Sequence, residues 1–146
     1  MAKALVVYAT RTYQTQKIGE LIAEGMRFEG LDVQVVNASG LDKSGIKLDE
    51  FDAVAFGSAT YHGEMLQSMK TALFFAEKAG LADKVGGAFG AYGWSGEAPG
   101  RIYDTMKNVF AMNMVSAPLM LKSPELGGGM KMAQDYGREM ARKLKE

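Results

Sequence analysis

Five runs of apolar residues alternate along the chain with segments in which apolar residues recur every three or four positions. The runs are typical of β-strands, and the second spacing places apolar side chains on one face of an α-helix. Alternating strands and helices predict an α/β domain with a parallel sheet. We therefore expect one doubly wound domain over residues 1–146, with five parallel strands in the order 2-1-3-4-5 and helices on both faces.

The arrangement of apolar residues within each predicted strand indicates its place in the sheet. Three strands are apolar almost throughout, as expected of strands covered on both faces: residues 3–8, 52–60 and 84–92. Residues 31–37 alternate between apolar and polar and predict an edge or near-edge strand. The last strand, residues 114–122, contains Pro118, which cannot donate a hydrogen bond to a neighbour and so indicates an edge or a bulge.

Helical spacing and helix-ending residues predict four helices. They run from near Gln14 to Gly30, from Leu66 to Ala79, from Pro99 to Met112, and from Lys131 to Lys145. On the second helix we expect Leu66, Met69, Leu73 and either Phe74 or Ala76 to face the sheet. The connection over residues 39–51 has room for a short helix around Ile46 and Leu48.

The amino-acid composition excludes several classes of binding partner and reactive site. The chain has 47% hydrophobic and 23% charged residues, and 17 Lys and Arg balance 17 Asp and Glu, so we expect a globular protein that binds neither nucleic acid nor a membrane. No cysteine is present and His62 is the single histidine, which excludes a disulfide, a thiolate or histidine-rich metal site and a cysteine nucleophile. The sequence has no apolar stretch of 18 residues and no signal peptide, so we expect a cytoplasmic protein.

Three polar loops follow the first, third and fourth predicted strands: residues 10–15, 60–64 and 92–97. In a parallel sheet of this strand order, these loops lie side by side where ligands bind. In the first loop, the hydroxyls of Thr10, Thr12 and Thr15 meet a helix N-terminus, whose free amides attract anions. Taken alone, such a turn is more often a helix cap.

The other two loops add aromatic side chains to this edge. Tyr61 follows the third strand and Trp94 follows the fourth, and each ring could stack on a flat ligand. Amides around Gly93, Ser95 and Gly96 could bind the polar edge of such a ligand. A phosphate cradle beside two aromatic rings predicts a site for a flat, phosphorylated ring system.

These residues resemble short-chain flavodoxins, and the resemblance covers the whole chain. Residues 6–15 resemble the phosphate-binding segment of that family, residues 57–61 its first aromatic loop, and residues 89–97 its second. The last run is also similar to the flavodoxin-type domain of flavodiiron proteins. The resemblance implies a flavodoxin-like fold and an electron carrier that serves redox partner proteins, with no catalytic residue and no metal. We expect it to be a monomer.

The resemblance also implies a cofactor and its site. FMN would bind noncovalently, with its phosphate at Thr10, Thr12 and Thr15 and its isoalloxazine ring between Tyr61 and Trp94. The implied cofactor-binding residues are Thr10, Arg11, Thr12, Tyr13, Gln14, Thr15, Ser58, Ala59, Thr60, Tyr61, His62, Gly63, Tyr92, Gly93, Trp94, Ser95, Gly96 and Glu97.

Two positions depart from the family pattern and leave an alternative open. Tyr13 stands where the phosphate-binding segment has glycine, and His62 stands where a glycine follows the first aromatic. The alternative is therefore a flavodoxin-fold binding or regulatory module in which Tyr13 has weakened or removed FMN binding. A flavin-dependent quinone reductase ranks lower, because the chain has no extra segment for a second substrate. A phosphoacceptor receiver domain is excluded, because the chain has no acidic pair after the first predicted strand and no Asp at the end of the third to bind Mg²⁺.

Overall fold

A parallel sheet lies between two pairs of helices in the computed structural model of the chain, which describes residues 2–93 and 95–146. The elements in chain order are β1 (Lys3–Ala9), α1 (Gln14–Phe28), β2 (Asp32–Asn37), β3 (Ala53–Ser58), β4 (Thr60–Tyr61), β5 (Glu64–Met65), α2 (Gln67–Ala76), β6 (Val85–Ala91), α3 (Glu97–Asp104), β7 (Asn113–Met114), β8 (Leu119–Leu121) and α4 (Gly129–Leu144). The main sheet has the order β2-β1-β3-β6, and β7 and β8 share the far edge, each parallel to β6. This confirms the predicted order 2-1-3-4-5.

The side chains of β1 alternate between two separate cores, one on each face of the sheet. Ala4 and Val6 pack in the core that includes α1 and α4. Leu5 and Val7 pack in the core that includes α2 and α3. Strands β3 and β6 are buried along their whole length, whereas β2 is exposed at both ends. The apolar runs therefore marked the interior strands correctly, and the alternating run marked the edge.

The fifth strand was predicted as one element over residues 114–122, and this was wrong. It is divided into β7 and β8, which pair with the beginning and the end of β6. Pro118 lies in the interruption and has no N–H to donate to the ladder. Within the gap, the hydroxyl of Tyr136 on α4 accepts a hydrogen bond from the Ala88 amide, 3.1 Å away, and donates one to the Ala88 carbonyl, 3.2 Å away. A side chain thus replaces the backbone partner that the missing part of the strand would supply.

Several helix ends differ from prediction. Helix α2 ends at Ala76. Ala76 is buried while Phe74 is 63% exposed, so Ala76 and not Phe74 faces the sheet. Helix α3 begins two residues before Pro99 and continues after Asp104 as a π-helical turn. Two 3-10 turns, Leu41–Lys43 and Leu48–Glu50, lie in the predicted connection.

Strands β4 and β5 form a short antiparallel hairpin that was not predicted.

Helices α1 and α4 cross at very short range because each has a glycine at the contact. A methyl group on Gly25 would overlap the carbonyl oxygen of Gln134, and one on Gly137 would overlap the carbonyl oxygen of Ile22. The backbones therefore approach more closely than any larger residue would allow.

Among the described residues, no helix combines the length and the apolar character that a membrane span requires.

Candidate functional site

The three polar loops meet at the carboxyl edge of the sheet, as predicted. Ala9 and Ser58 are paired in register at the ends of β1 and β3, and the Ala59 amide donates to the Ala9 carbonyl over 3.1 Å. The third loop begins at Tyr92, whose amide donates to the carbonyl of Leu121 at the end of β8. This bond places the residues after β8 beside the third loop.

Two adjoining cavities open between these loops. The smaller, about 170 Å³, is lined by Arg11, Thr12, Gln14, Thr15, Ala59, Thr60, Ala91, Tyr92, Gly93 and Lys122. The larger, about 410 Å³, is lined by Arg11, Thr60, Tyr61, His62, Gly63, Gly93 and Ser95. Arg11, Thr60 and Gly93 line both, so the two spaces share a boundary. A small cavity rich in hydroxyls and a larger one beside a tyrosine ring match, in their chemistry, a ligand with a polar head and a flat body.

Tyr13 holds the first loop in a conformation that usually belongs to glycine. Its φ is 68° and its ψ is −4°, in the left-handed region. Its carbonyl accepts the hydrogen bond from the Lys17 amide that starts α1. The Tyr13 side chain is 68% exposed and lines neither cavity. The loop backbone therefore follows the course that a glycine would permit, with the ring outside the cradle.

The threonine hydroxyls of the first loop are not equivalent. The Thr15 hydroxyl is buried and accepts a hydrogen bond from the Ala91 amide over 3.2 Å, which leaves its own proton free to be donated. The Thr10 hydroxyl is buried and has no hydrogen-bond partner among the described residues. An unpaired buried hydroxyl costs about 1–3 kcal/mol. Thr10 is the first residue of this loop and lines neither cavity. The Thr12 side chain is exposed and lines the smaller cavity. The hydroxyls of Thr12 and Thr15, which line the smaller cavity, fit a phosphate group.

Lys122 is a candidate site residue that was not predicted from the sequence. It follows β8 directly and lines the smaller cavity together with Arg11. No carboxylate is among the residues that line this cavity, so its charge is positive. The signal that could have indicated Lys122 is its position at the carboxyl end of the last strand, which shares its edge of the sheet with the three loops.

The hairpin of β4 and β5 carries Tyr61 at the edge of the larger cavity. Positive φ angles of 52° at His62 and 75° at Gly63 turn the chain between the two strands. The guanidinium carbon of Arg11 lies 3.9 Å from the centroid of the Tyr61 ring, and the His62 ring meets Tyr61 edge-on, with centroids 4.1 Å apart. The second predicted aromatic, Trp94, lies outside the described residues.

Some of the predicted site residues have partners inside the protein. The Ser58 hydroxyl is fully buried, donates to the Ala59 carbonyl over 2.8 Å and accepts from the Leu66 amide over 3.0 Å. It ties the hairpin to β3 and lines neither cavity. The Thr60 hydroxyl accepts from the Ala98 amide over 3.0 Å and so caps the first turn of α3.

Gly96 and Glu97, also predicted site residues, precede and begin α3 and line neither cavity. A hydrogen bond from the Ser95 hydroxyl holds the pKa of the Glu97 carboxyl below its usual range. Glu97 therefore stays ionised in the first turn of the helix, where a negative charge is favourable. Its position and its partner indicate a structural role at the helix start.

Residues 6–143 match the sequence profile of the family described as Flavodoxin. The chain belongs to the flavodoxin family. The solved structure of a flavodoxin from the domain Archaea has a TM-score of 0.88 with this chain, is 32% identical to it, and the match covers 99% of both chains. These matches confirm the flavodoxin-like fold and the resemblance found in the sequence.

Two larger proteins contain a region similar to this flavodoxin-family chain. Rubredoxin-oxygen oxidoreductase of Megalodesulfovibrio gigas is 26% identical over 145 residues, which is 98% of this chain and 36% of that protein. The anaerobic nitric oxide reductase flavorubredoxin of Pectobacterium carotovorum subsp. carotovorum is 30% identical over 141 residues, or 92% and 27% of the two chains. The chain thus spans about a third or less of these relatives, and their names describe much longer proteins.

Proposed function

We propose that this chain binds FMN noncovalently and carries electrons between redox partner proteins. Membership of the flavodoxin family supports flavin binding and electron transfer in general. The observation that carries the specific proposal is the pair of adjoining cavities that share Arg11, Thr60 and Gly93. FMN has a phosphate head and a flat ring system, which match the smaller and the larger cavity in chemistry.

The smaller cavity suits the phosphate. Thr12 and Thr15 present hydroxyls, Arg11 and Lys122 present positive charge, and the adjacent Thr10 hydroxyl is buried without a partner. Helix α1 begins at Gln14, and its first amides have no acceptor within the helix. An anion placed here would satisfy donors that would otherwise remain unpaired.

The larger cavity suits the ring. The guanidinium of Arg11 covers one face of the Tyr61 ring, so a flat ligand would stack on the other face or displace Arg11. The residues Gly93 and Ser95 border the same space. Bound FMN would supply reversible oxidation and reduction, and the chain has no cysteine that could do so by thiol–disulfide exchange. The residues of this chain would hold the ring in place, exclude water from one face and set the polarity around it.

The test is an FMN titration of the flavin-free protein, followed by stepwise anaerobic reduction of the complex. We expect FMN fluorescence to be quenched with a one-to-one endpoint, and the absorbance changes to report reversible uptake of electrons. The variant Tyr61→Ala should bind FMN more weakly because it lacks the stacking face. Phe74→Ala is the matched control, because Phe74 is also an exposed aromatic and lies on α2 away from both cavities.

A protein that remains colourless and leaves FMN fluorescence unchanged would contradict the proposal. That result would favour the alternative, a flavodoxin-fold binding or regulatory module without flavin. The alternative depends on Tyr13, so it further predicts that Tyr13→Gly creates FMN binding where the wild-type chain has none.

A further inference from the structure

The smaller cavity differs from a neutral cradle of hydroxyls and amides because two cations line it. Arg11 comes from the first loop and Lys122 from the residue after β8, so separate parts of the chain contribute them. We infer that Arg11 and Lys122 are specificity-determining residues that select a phosphorylated flavin over the same flavin without its phosphate. The inference rests on the proposed function, because it concerns which flavin the site prefers.

Both charges are available to a ligand. Within residues 2–93 and 95–146, neither Arg11 nor Lys122 forms an ion pair with a carboxylate. The acidic residue closest in sequence to Lys122 is Glu125, which is engaged by Lys17 at 2.9 Å and by the Ser123 hydroxyl. A dianionic phosphate in this cavity would therefore meet two positive charges with no competing carboxylate along the wall.

Arg11 is held at the boundary between the two cavities. Its guanidinium carbon lies 3.9 Å from the centroid of the Tyr61 ring, a cation–π contact that restricts a long and flexible side chain. Restricting the side chain before the ligand arrives lowers the entropy that binding must remove. Arg11 thus lines the smaller cavity while its guanidinium packs on the ring that lines the larger one.

The position of Lys122 depends on the division of the fifth strand into β7 and β8. Strand β8 pairs with the end of β6, and the Leu121 carbonyl accepts a hydrogen bond from the Tyr92 amide over 3.0 Å. Lys122 is the next residue, so this bond fixes its backbone beside the third loop. Its ammonium group can then present a compact positive charge to a phosphate in the smaller cavity.

The experiment compares FMN with riboflavin, which has the same ring system and no phosphate. Dissociation constants for both are measured with the wild-type protein, Arg11→Gln and Lys122→Gln. Arg142→Gln and Lys107→Gln are matched controls, since Arg142 pairs with Glu29 near the other end of α1 and Lys107 is exposed on the π-helical turn. The quantity of interest is the ratio of the riboflavin constant to the FMN constant.

We expect each site substitution to lower this ratio roughly tenfold, as for the loss of one charge-assisted hydrogen bond, and the controls to leave it unchanged. Raising the salt concentration should weaken FMN binding to the wild type more than to Arg11→Gln or Lys122→Gln, because exposed charges are screened. Equal effects on both flavins, or no effect on either, would overturn the inference while leaving the proposed function intact. A wild-type protein that binds neither flavin would overturn both.

A second measurement needs no flavin. Inorganic phosphate should raise the melting temperature of the flavin-free wild type, because a ligand of the folded state stabilises it. The rise should be smaller in Arg11→Gln and Lys122→Gln and unchanged in the two controls. Equal responses in all five proteins would count against a cationic phosphate site.

Discussion

The Thr15 hydroxyl accepts a hydrogen bond from the Ala91 amide over 3.2 Å and so joins the first turn of α1 to the end of β6. The bond lies at the meeting point of two of the three site loops. It also separates two threonines that look alike in the sequence, because the hydroxyl of Thr10 is buried and unpaired. The two side chains should therefore respond differently to the same substitution.

Thr15→Val should destabilise the flavin-free protein by about 1–3 kcal/mol, because the Ala91 amide would be left buried without a partner. Thr10→Val should leave the free energy of unfolding unchanged or raise it by about 1 kcal/mol, because it removes a buried hydroxyl that has no partner. Both variants should bind FMN more weakly than the wild type. Chemical denaturation and FMN titration measure the two quantities, and equal losses of stability in the two variants would contradict the assignment.

Tyr136→Phe should destabilise the protein by about 2–4 kcal/mol at neutral pH, because both the amide and the carbonyl of Ala88 would lose their partner in the gap between β7 and β8. Tyr13→Phe is the control, since the Tyr13 side chain is 68% exposed and lies in the first loop, away from Ala88. A loss of similar size in both variants would show that the Ala88 bonds contribute little.

The same residue predicts a pH dependence. Burial raises the pKa of the Tyr136 hydroxyl above its usual range. The stability that this group contributes is therefore fully present below its unfolded pKa of about 10 and is lost as pH rises above that value, where only the unfolded chain ionises. Tyr136→Phe should lose less stability than the wild type between pH 9 and 12. Parallel curves of unfolding free energy against pH would contradict this.

Tyr13→Gly tests the residue on which the alternative function depends. The Tyr13 side chain is outside both cavities and its backbone already has the left-handed conformation. We expect the FMN dissociation constant to change by less than about threefold, which is under 1 kcal/mol. The free energy of unfolding should rise by about 1 kcal/mol as the strain at φ 68° is relieved.

Asp83→Gly is the matched control for this variant, since Asp83 has φ 67° and precedes β6 at the opposite edge of the sheet. It should gain similar stability with no effect on FMN. A large tightening of FMN binding in Tyr13→Gly alone would support the alternative, in which Tyr13 restricts the site.

Gly137→Ala and Gly100→Ala should have opposite effects. The added methyl group at Gly137 would overlap the Ile22 carbonyl oxygen in the crossing of α1 and α4, and we expect a loss of about 3 kcal/mol or more. Gly100 lies within α3, and a methyl group added there would point into open space, so alanine should stabilise the helix by about 0.5–1 kcal/mol. Thermal or chemical denaturation of the two variants measures the contrast.

The features that the sequence predicted well are those written in local patterns. Apolar runs without alternation identified β3 and β6 as interior strands, because both faces of such strands are covered by helices. A change from a strand pattern to a helical pattern is also visible within a few residues, and it identified Thr10 to Thr15 as the segment where a helix starts. The place where three loops meet followed from strand order alone.

The features that the sequence did not predict depend on distant partners. Pro118 indicated an irregular edge, but the division of the fifth strand also requires Tyr136, on a different helix, to bond Ala88. Ser58 is a predicted cofactor-binding residue, and the sequence did not indicate that its hydroxyl accepts a hydrogen bond from the Leu66 amide. Lys122 enters the cavity only because β8 pairs with β6. Each of these outcomes is set by tertiary contacts that no short segment encodes.

The close crossing of α1 and α4 has a consequence for synthesis on the ribosome. Gln134 donates a hydrogen bond to Glu24, 110 residues earlier in the chain. At about 5–20 residues per second, roughly 5 to 20 s separate the emergence of the two helices. Until α4 arrives, Ile22 and Met26 have no cover on that side, and a core built on such distant contacts closes late. This half of the nascent chain is therefore where chaperones would find exposed apolar surface.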